Sequence, residues 1–153
     1  MKDVMNVKFS RLMLGTVQFG LEYGIANVSG KPSFGRVCDI LRAAYEGGVT
    51  ALDTAAAYGT SEEVVGEALE RLGLQDAMTV VTKVPPLEAA NDTEAERLIE
   101  QTLLRSLARL PRSFISLEMA DRLFNSAWRM IGVIRPPGID TATPTSAWRC
   151  LTM

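Results

Sequence analysis

Three times in succession the chain passes from a short apolar run to a longer stretch of helical periodicity. No other property limits its fold as much, because strands separated by helices of this length pair in parallel. Leu12-Met13-Leu14 is the first run and ends at Gly15-Thr16. Behind Pro32-Ser33 a helix is predicted with Val37, Ile40, Leu41, Ala44 and Tyr45 on one face. Gly47-Gly48 ends it, since glycine enters the left-handed conformation at little cost. Residues 49–53 form the second strand and 54–59 the loop behind it. Thr60 with Glu63 has the form of a capping box and opens a helix whose stripe is Val64, Val65, Ala68, Leu69 and Leu72, closed by Gly73. Residues 78–82 form the third strand, followed by Lys83 and a loop through Pro85-Pro86. A second capping box, Asn91 with Glu94, opens a helix carrying Ala95, Leu98, Ile99, Thr102, Leu103, Ser106 and Leu110.

The rhythm is regular, with 38 residues from Gly15 to Asp53 and 30 from Asp53 to Lys83. The strands are continuously apolar where they are readable, as expected when helices cover a parallel sheet. On pattern alone a doubly wound sheet and a (β/α)8 barrel both remain open. The first strand is not followed by a G-x-G-x-x-G loop, which counts against the dinucleotide-binding doubly wound form.

After Leu110 the rhythm stops. Phe114-Ile115-Ser116 offers only a stub where a fourth strand is due, and residues 116–131 read as a helix with Leu117, Ala120, Phe124, Ala127, Trp128 and Ile131 on one side. Beyond lie Pro136-Pro137-Gly138, a threonine-rich run at 141–146 and the second tryptophan, Trp148. The chain thus divides into residues 1–110, with βα rhythm, and 111–153, an irregular and partly helical tail.

Composition excludes several classes of function. Sixteen basic and eighteen acidic residues leave a net charge of −2, which gives no general attraction to nucleic acid or to an anionic membrane. There is no histidine, and the two cysteines, Cys38 and Cys150, stand far apart, so neither a zinc site nor a disulfide framework is expected. Residues 1–9 carry Lys2, Asp3 and Lys8 and no apolar core of signal length, and no run of about 18 apolar residues follows. The expected compartment is the cytoplasm.

Asp53, Tyr58 and Lys83 stand at, or just past, the C-terminal ends of the second and third strands. Parallel βα units bring those ends to one face, where active sites are built. Singly, each residue has an ordinary reading: a cap, a turn aromatic, a solvated loop charge. Together they make a chemical unit. A phenol in water keeps its proton up to about pH 10, an ammonium group close by favours the phenolate, and a carboxylate holds the ammonium charged and oriented. In such a trio Tyr58 is the general acid toward a carbonyl oxygen that gains negative charge.

Leu14-Gly15-Thr16-Val17-Gln18-Phe19-Gly20, then Ala51-Leu52-Asp53-Thr54-Ala55-Ala56-Ala57-Tyr58-Gly59, then Val81-Thr82-Lys83 resemble the first three strands of an aldo-keto reductase. Ser61-Glu62-Glu63 and Gly66-Glu67-Ala68-Leu69 fit the helix after the second strand, and Tyr23-Gly24-Ile25-Ala26-Asn27 with Gly30-Lys31-Pro32 resembles a bacterial subgroup of that family. The resemblance covers about residues 10–110. It implies the N-terminal portion of a (β/α)8 TIM barrel that reduces aldehydes or ketones with NADPH, its partner being a small-molecule carbonyl substrate. It also implies Tyr58 as proton donor, Lys83 as the residue that tunes it and Asp53 as partner of the lysine. Gly15 and Thr16, with Asp53, would lie beside the nicotinamide end of the cofactor.

The sequence departs from the family in two respects. The fourth residue of the family's site is a histidine at the end of the fourth strand, and this chain has none. The family's hold on the phosphates and adenine comes from the last strands of a barrel of about 250 residues. A truncated chain with little or no activity is therefore expected, its tail after Leu110 being a divergent or frame-altered continuation. Two other readings stand beside it: an active reductase that has reorganised without the histidine, and a non-catalytic interaction protein that reuses a half barrel. Three strands with helices on one side are expected to leave the other sheet face and two edges open, a route to self-association.

Overall fold

A computed structural model of the chain describes residues 10–25, 27–86, 88–110, 115–119 and 129–133. The elements run β1 (Met13–Gly15), α1 (Val17–Gly20), α2 (Phe34–Glu46), β2 (Ala51–Asp53), α3 (Ser61–Leu72), β3 (Thr79–Val84), α4 (Asp92–Arg109), β4 (Ile115–Met119) and β5 (Arg129–Val133). One sheet holds all five strands in chain order. β1 to β4 are parallel, and β5 returns antiparallel to β4. This is the N-terminal portion of a (β/α)8 barrel, with helices α2, α3 and α4 on one side of the sheet.

Helices α2, α3 and α4 form where the periodicity placed them, while the short α1 was not foreseen. Ser33 caps α2 by accepting from the Arg36 amide at 3.3 Å, and the chain leaves α2 through Gly48 at φ +84. Asn91 caps α4 by accepting from the Glu94 amide at 3.0 Å, while the Glu94 carboxylate accepts from the Ala90 amide at 3.0 Å. Thr60 does not cap α3 with its side chain, contrary to the capping box expected there. The chain enters α3 by a turn, Ser61 N–H to Tyr58 C=O at 3.0 Å, which leaves Thr60 out of the extended conformation a capping side chain needs. Glu63, its expected partner, pairs instead with Arg109 at 3.1 Å.

Leu14, Leu52 and Val80 share one register line across β1, β2 and β3. They face α2 and α3, and with Val37, Leu41, Val65, Leu69, Leu107 and Leu110 they form the core. Each fully buried leucine contributes about 1.5–3 kcal/mol. On the opposite face stand Met13, Ala51 and Thr79, then Gly15, Asp53 and Val81, and then Lys83. That face is not open as the sequence suggested. Ala51 is fully buried and Val81 is 5% exposed, so both faces of β2 and β3 are covered at these positions. Of the strands β1 to β3, β1 alone carries large apolar exposure, at Met13 and at Leu12 just before it.

The tail differs from expectation at both ends of its predicted helix. Residues 115–119 and 129–133 are strands, not a stub and a helix; Ala120, Phe124, Ala127, Trp128 and everything after Val133 lie outside the described residues. Ile115-Ser116-Leu117-Glu118-Met119 also alternates with a period of two, and it lies beside the open edge of β3. There it pairs over five residues, Val80 with Ile115 through Val84 with Met119. Satisfying that edge outweighs a helical pattern of similar strength.

Candidate active site

Asp53 ends β2 and Lys83 is the fifth residue of β3. Asp53 is in register with Val81, and Lys83 stands two residues further on, so alternation puts both side chains on the face away from the helices. There the Lys83 ammonium pairs with the Asp53 carboxylate, the two side chains being 19% and 32% exposed. Lys83 Nζ also donates to the Thr54 carbonyl oxygen at 3.0 Å. Tyr58 lies on the loop between β2 and α3, half-buried, with Lys83 Nζ 5.5 Å from the centroid of its ring. The sequence-predicted trio is thus one cluster at the C-terminal ends of adjacent parallel strands.

The loop that carries Tyr58 is fastened on every side. The Thr54 amide donates to Val81 O at 2.8 Å, Ala56 to Lys83 O at 3.1 Å and Tyr58 to Ala55 O at 2.9 Å. These bonds lay the loop along the end of β3. From the other side α1 presses in: a Cβ on Gly20 would collide with the Tyr58 carbonyl oxygen and the Ser61 backbone. Gly59 sits at φ +57 with the backbone of Gly20 in the place a Cβ would take. The sequence Tyr58-Gly59 is required by that approach.

Gly15 is exposed at the end of β1, in register with Asp53, and a Cβ there would meet nothing within 4 Å. This side-chain-free strand end beside Asp53 fits the flat reacting end of a nicotinamide. Thr16 differs: it is fully buried, and its hydroxyl is engaged with Asp53 O and Ser61 Oγ, each at 2.9 Å. Thr16 therefore reaches the cluster through the protein interior. An open cavity of about 740 Å³ lies beside the loop after β1, lined by Gln18, Tyr23, Gly24, Ile25, Asn27 and Ser29; none of the trio lines it.

Two residues of weight were quoted from the sequence only within a family motif and given no role of their own. Ser61 and Glu62, the first two residues of α3, are 0% and 2% exposed. Ser61 joins Thr16 and Thr54 in a hydroxyl cluster. Glu62 accepts from Thr82 Oγ1 at 2.6 Å and pairs with Arg109 at 3.2 Å. Their place beside the tyrosine-glycine motif was the available signal; polar letters at a helix start otherwise read as caps.

A (β/α) half barrel with an aspartate, a tyrosine and a lysine joined at its strand ends defines a class, and the comparisons agree with it. Residues 11–125 match the aldo/keto reductase family, and the chain belongs to that family. It is similar to aldo-keto reductase YhdN of Bacillus subtilis (strain 168), 32% identical over 118 residues, which are 72% of this chain and 34% of that protein. It is also similar to the crystal structure of PA4992 of Pseudomonas aeruginosa, described as an aldo-keto reductase, with a TM-score of 0.59 and 31% identity over 76% of this chain and 45% of that one. A second P. aeruginosa structure of the same description gives a TM-score of 0.58 at 29% identity, over 76% and 44% of the two chains. The chain spans about a third of the YhdN length and under half of each solved chain. Among the described residues no helix is long and apolar enough to cross a membrane.

Proposed function

We propose that this chain carries the proton-delivering part of an NADPH-dependent carbonyl reductase, and that alone it reduces aldehydes or ketones little or not at all. The observation that carries the reading is the position of Lys83 Nζ, bound by the Asp53 carboxylate and the Thr54 carbonyl and 5.5 Å from the Tyr58 ring. A small carbonyl compound at this face would take its proton from the Tyr58 hydroxyl as its oxygen gains charge. The Lys83 cation offsets the charge left on the phenolate, and Asp53 keeps that cation in place. When bound, the nicotinamide cofactor would supply the hydride, with Gly15 and Asp53 beside its reacting end; Thr16, expected there from the sequence, is fully buried and would act only from behind, through the Asp53 main chain.

The expected shortfall in activity rests on two facts. No histidine is present to act beside Tyr58, and the chain covers 34% of YhdN and 45% of the PA4992 chain, while the resemblance implies that phosphate and adenine are held by the later strands of a barrel. The cytoplasm, where NADPH is plentiful, is the proposed compartment, and residues 111–153 are proposed to be a divergent or frame-altered tail. The exposure of Met13 on β1 and of Leu12 just before it favours a second reading, a non-catalytic half barrel that docks to another chain.

The test is a pair of measurements on the purified chain. NADPH consumption with a set of simple aldehydes is expected to stay at the blank rate. NADPH titration followed by amide NMR is expected to move the signals of Gly15, Asp53 and Lys83 at millimolar cofactor, the weak end of binding. Turnover that is lost on Tyr58→Phe would instead establish an active reductase. Signals that stay put at saturating cofactor would remove the cofactor reading and leave the docking one.

A further inference from the structure

We propose that Ser61 is a positioning residue: through a buried cluster of three hydroxyls it sets the distance between Tyr58 and Lys83. The inference rests on the reductase reading of that pair. Thr16, Thr54 and Ser61 come from three different places, the end of β1, the end of β2 and the first turn of α3, and all three are fully buried. A buried hydroxyl left unpaired costs stability, so the bonds can be followed one by one. Ser61 Oγ donates to the Thr16 carbonyl oxygen at 2.8 Å. Its own lone pairs are then free to accept from Thr54 Oγ1 at 3.0 Å and to meet Thr16 Oγ1 at 2.9 Å. Thr16 Oγ1 carries one proton and lies 2.9 Å from both Ser61 Oγ and the Asp53 carbonyl oxygen, so it donates to one of them at a time. Every hydroxyl has a partner.

What the cluster joins gives it a role beyond packing. Thr54 presents its hydroxyl to Ser61 and its carbonyl to Lys83 Nζ, at 3.0 Å in each case. Ser61 donates its amide to the Tyr58 carbonyl, also at 3.0 Å. Ser61 is therefore bonded both to the tyrosine's turn and to the residue that holds the lysine. The cluster meets Asp53 as well, through its main-chain oxygen. Apolar groups of the same size would fill this space but would not fix its angles, since dispersion contacts are not directional whereas hydrogen bonds are. Proton transfer depends on such angles, and a misplacement of about 1 Å costs a reaction about 100-fold.

The experiment measures geometry and does not require turnover. With the full chain labelled for NMR, the NOE between the Lys83 ε-methylene and the Tyr58 ring protons is compared in the wild type, Ser61→Ala and Thr54→Val. The second variant removes one hydroxyl isosterically and keeps the carbonyl that holds Lys83. An NOE falls with the sixth power of distance, so an offset of about 1 Å lowers it severalfold. The expected result is that loss in both variants, with the signals of Leu41 and Leu69 in the core unchanged. A wild-type NOE in a folded Ser61→Ala protein overturns the proposal. If Ser61→Ala does not fold, Thr54→Val decides in the same way. If neither folds, the cluster is structural and the proposal is lost. A wild type without the NOE would instead sink the Tyr58–Lys83 pairing, and with it the reductase reading.

Discussion

Thr82 donates its hydroxyl to the Glu62 carboxylate at 2.6 Å, inside the layer between sheet and helices. The other carboxylate oxygen takes Arg109 at 3.2 Å, and the same guanidinium reaches Glu63 at 3.1 Å. One buried acid thus ties α3 to β3 and to the last residue of α4. Its place in the first turn of α3 also sets its charge against the positive end of the helix dipole. Thr82 is the neighbour of Lys83 on the strand, so the tie holds the lysine-bearing strand from the side opposite the cluster.

Glu62→Ala leaves the Thr82 hydroxyl buried without a partner and removes an anion from Arg109, which is itself 32% exposed. A loss of about 3 kcal/mol is expected, at the lower end for a broken buried pair because the arginine can turn to water. Glu62→Gln keeps an acceptor for Thr82 and should lose about 1 kcal/mol. Urea unfolding measures both. Two variants within error of the wild type would mean that the tie contributes nothing.

Gly20 and Gly15 offer a paired comparison. Alanine at Gly20 would overlap backbone atoms of Tyr58 and Ser61, which cannot swing aside as a flexible side chain would. Gly20→Ala should cost about 3 kcal/mol and shift the amide signals of residues 55–61. At Gly15 the added methyl meets nothing, so Gly15→Ala should stay within about 0.5 kcal/mol of the wild type. Its effect should fall on the cofactor-induced NMR shifts alone. Equal destabilisation by the two variants would contradict this account of the α1 contact.

The strand–helix alternation and the positions of Asp53, Tyr58 and Lys83 were legible because each rests on local pattern: apolar runs, caps, glycines and a motif. What was not legible depends on partners distant in sequence. Residues 115–119 alternate with a period of two and also open the stretch 116–131 that reads as a helix, and the open edge of β3 selects the strand. Thr60 matched the letters of a capping box, but the Tyr58–Ser61 turn gave the polar work at that end of α3 to Ser61 and Glu62. Burial of both faces of β2 and β3 is likewise a tertiary fact, since three βα units by themselves leave one face bare. Ser61 and Glu62 entered the sequence reading only as part of a family motif, because their partners Thr16, Thr82 and Arg109 are distant in sequence.

Among the described residues β1 pairs with β2 alone, and Leu12 and Met13 are 71% and 44% exposed. An apolar strand edge of this kind is a template for another strand. Sedimentation velocity should show association that grows with protein concentration. Met13→Lys, which places a charge on that edge, should move the equilibrium toward monomer without changing the unfolding midpoint by more than about 0.5 kcal/mol. A wild type that stays monomeric at every concentration would rule this edge out as a contact.

The final prediction concerns the chain beyond β4. In a barrel each strand is followed by a crossover that returns the next strand in parallel, and such a connection takes about a dozen residues or more. Nine residues, 120–128, separate Met119 from Arg129, and β5 comes back antiparallel. Parallel pairing thus continues through Met119 and β5 departs from it, within the proposed tail that begins at residue 111, where the sequence rhythm first fails. The family match ends close by, at residue 125. If the tail arises from a change of reading frame, the coding DNA after codon 119 should yield, in one of the other two frames, a helical stretch followed by further apolar strands at the interval of about 30–40 residues that whole barrels show. β4 has no histidine at its end, Glu118-Met119 closing the strand, so the shift should fall at or just before that point if the family's residue is to reappear. Sequencing the gene and translating all three frames decides the matter. Two alternative frames without βα rhythm would make the antiparallel β5 a native feature of this chain, and the tail a divergent ending selected as it stands.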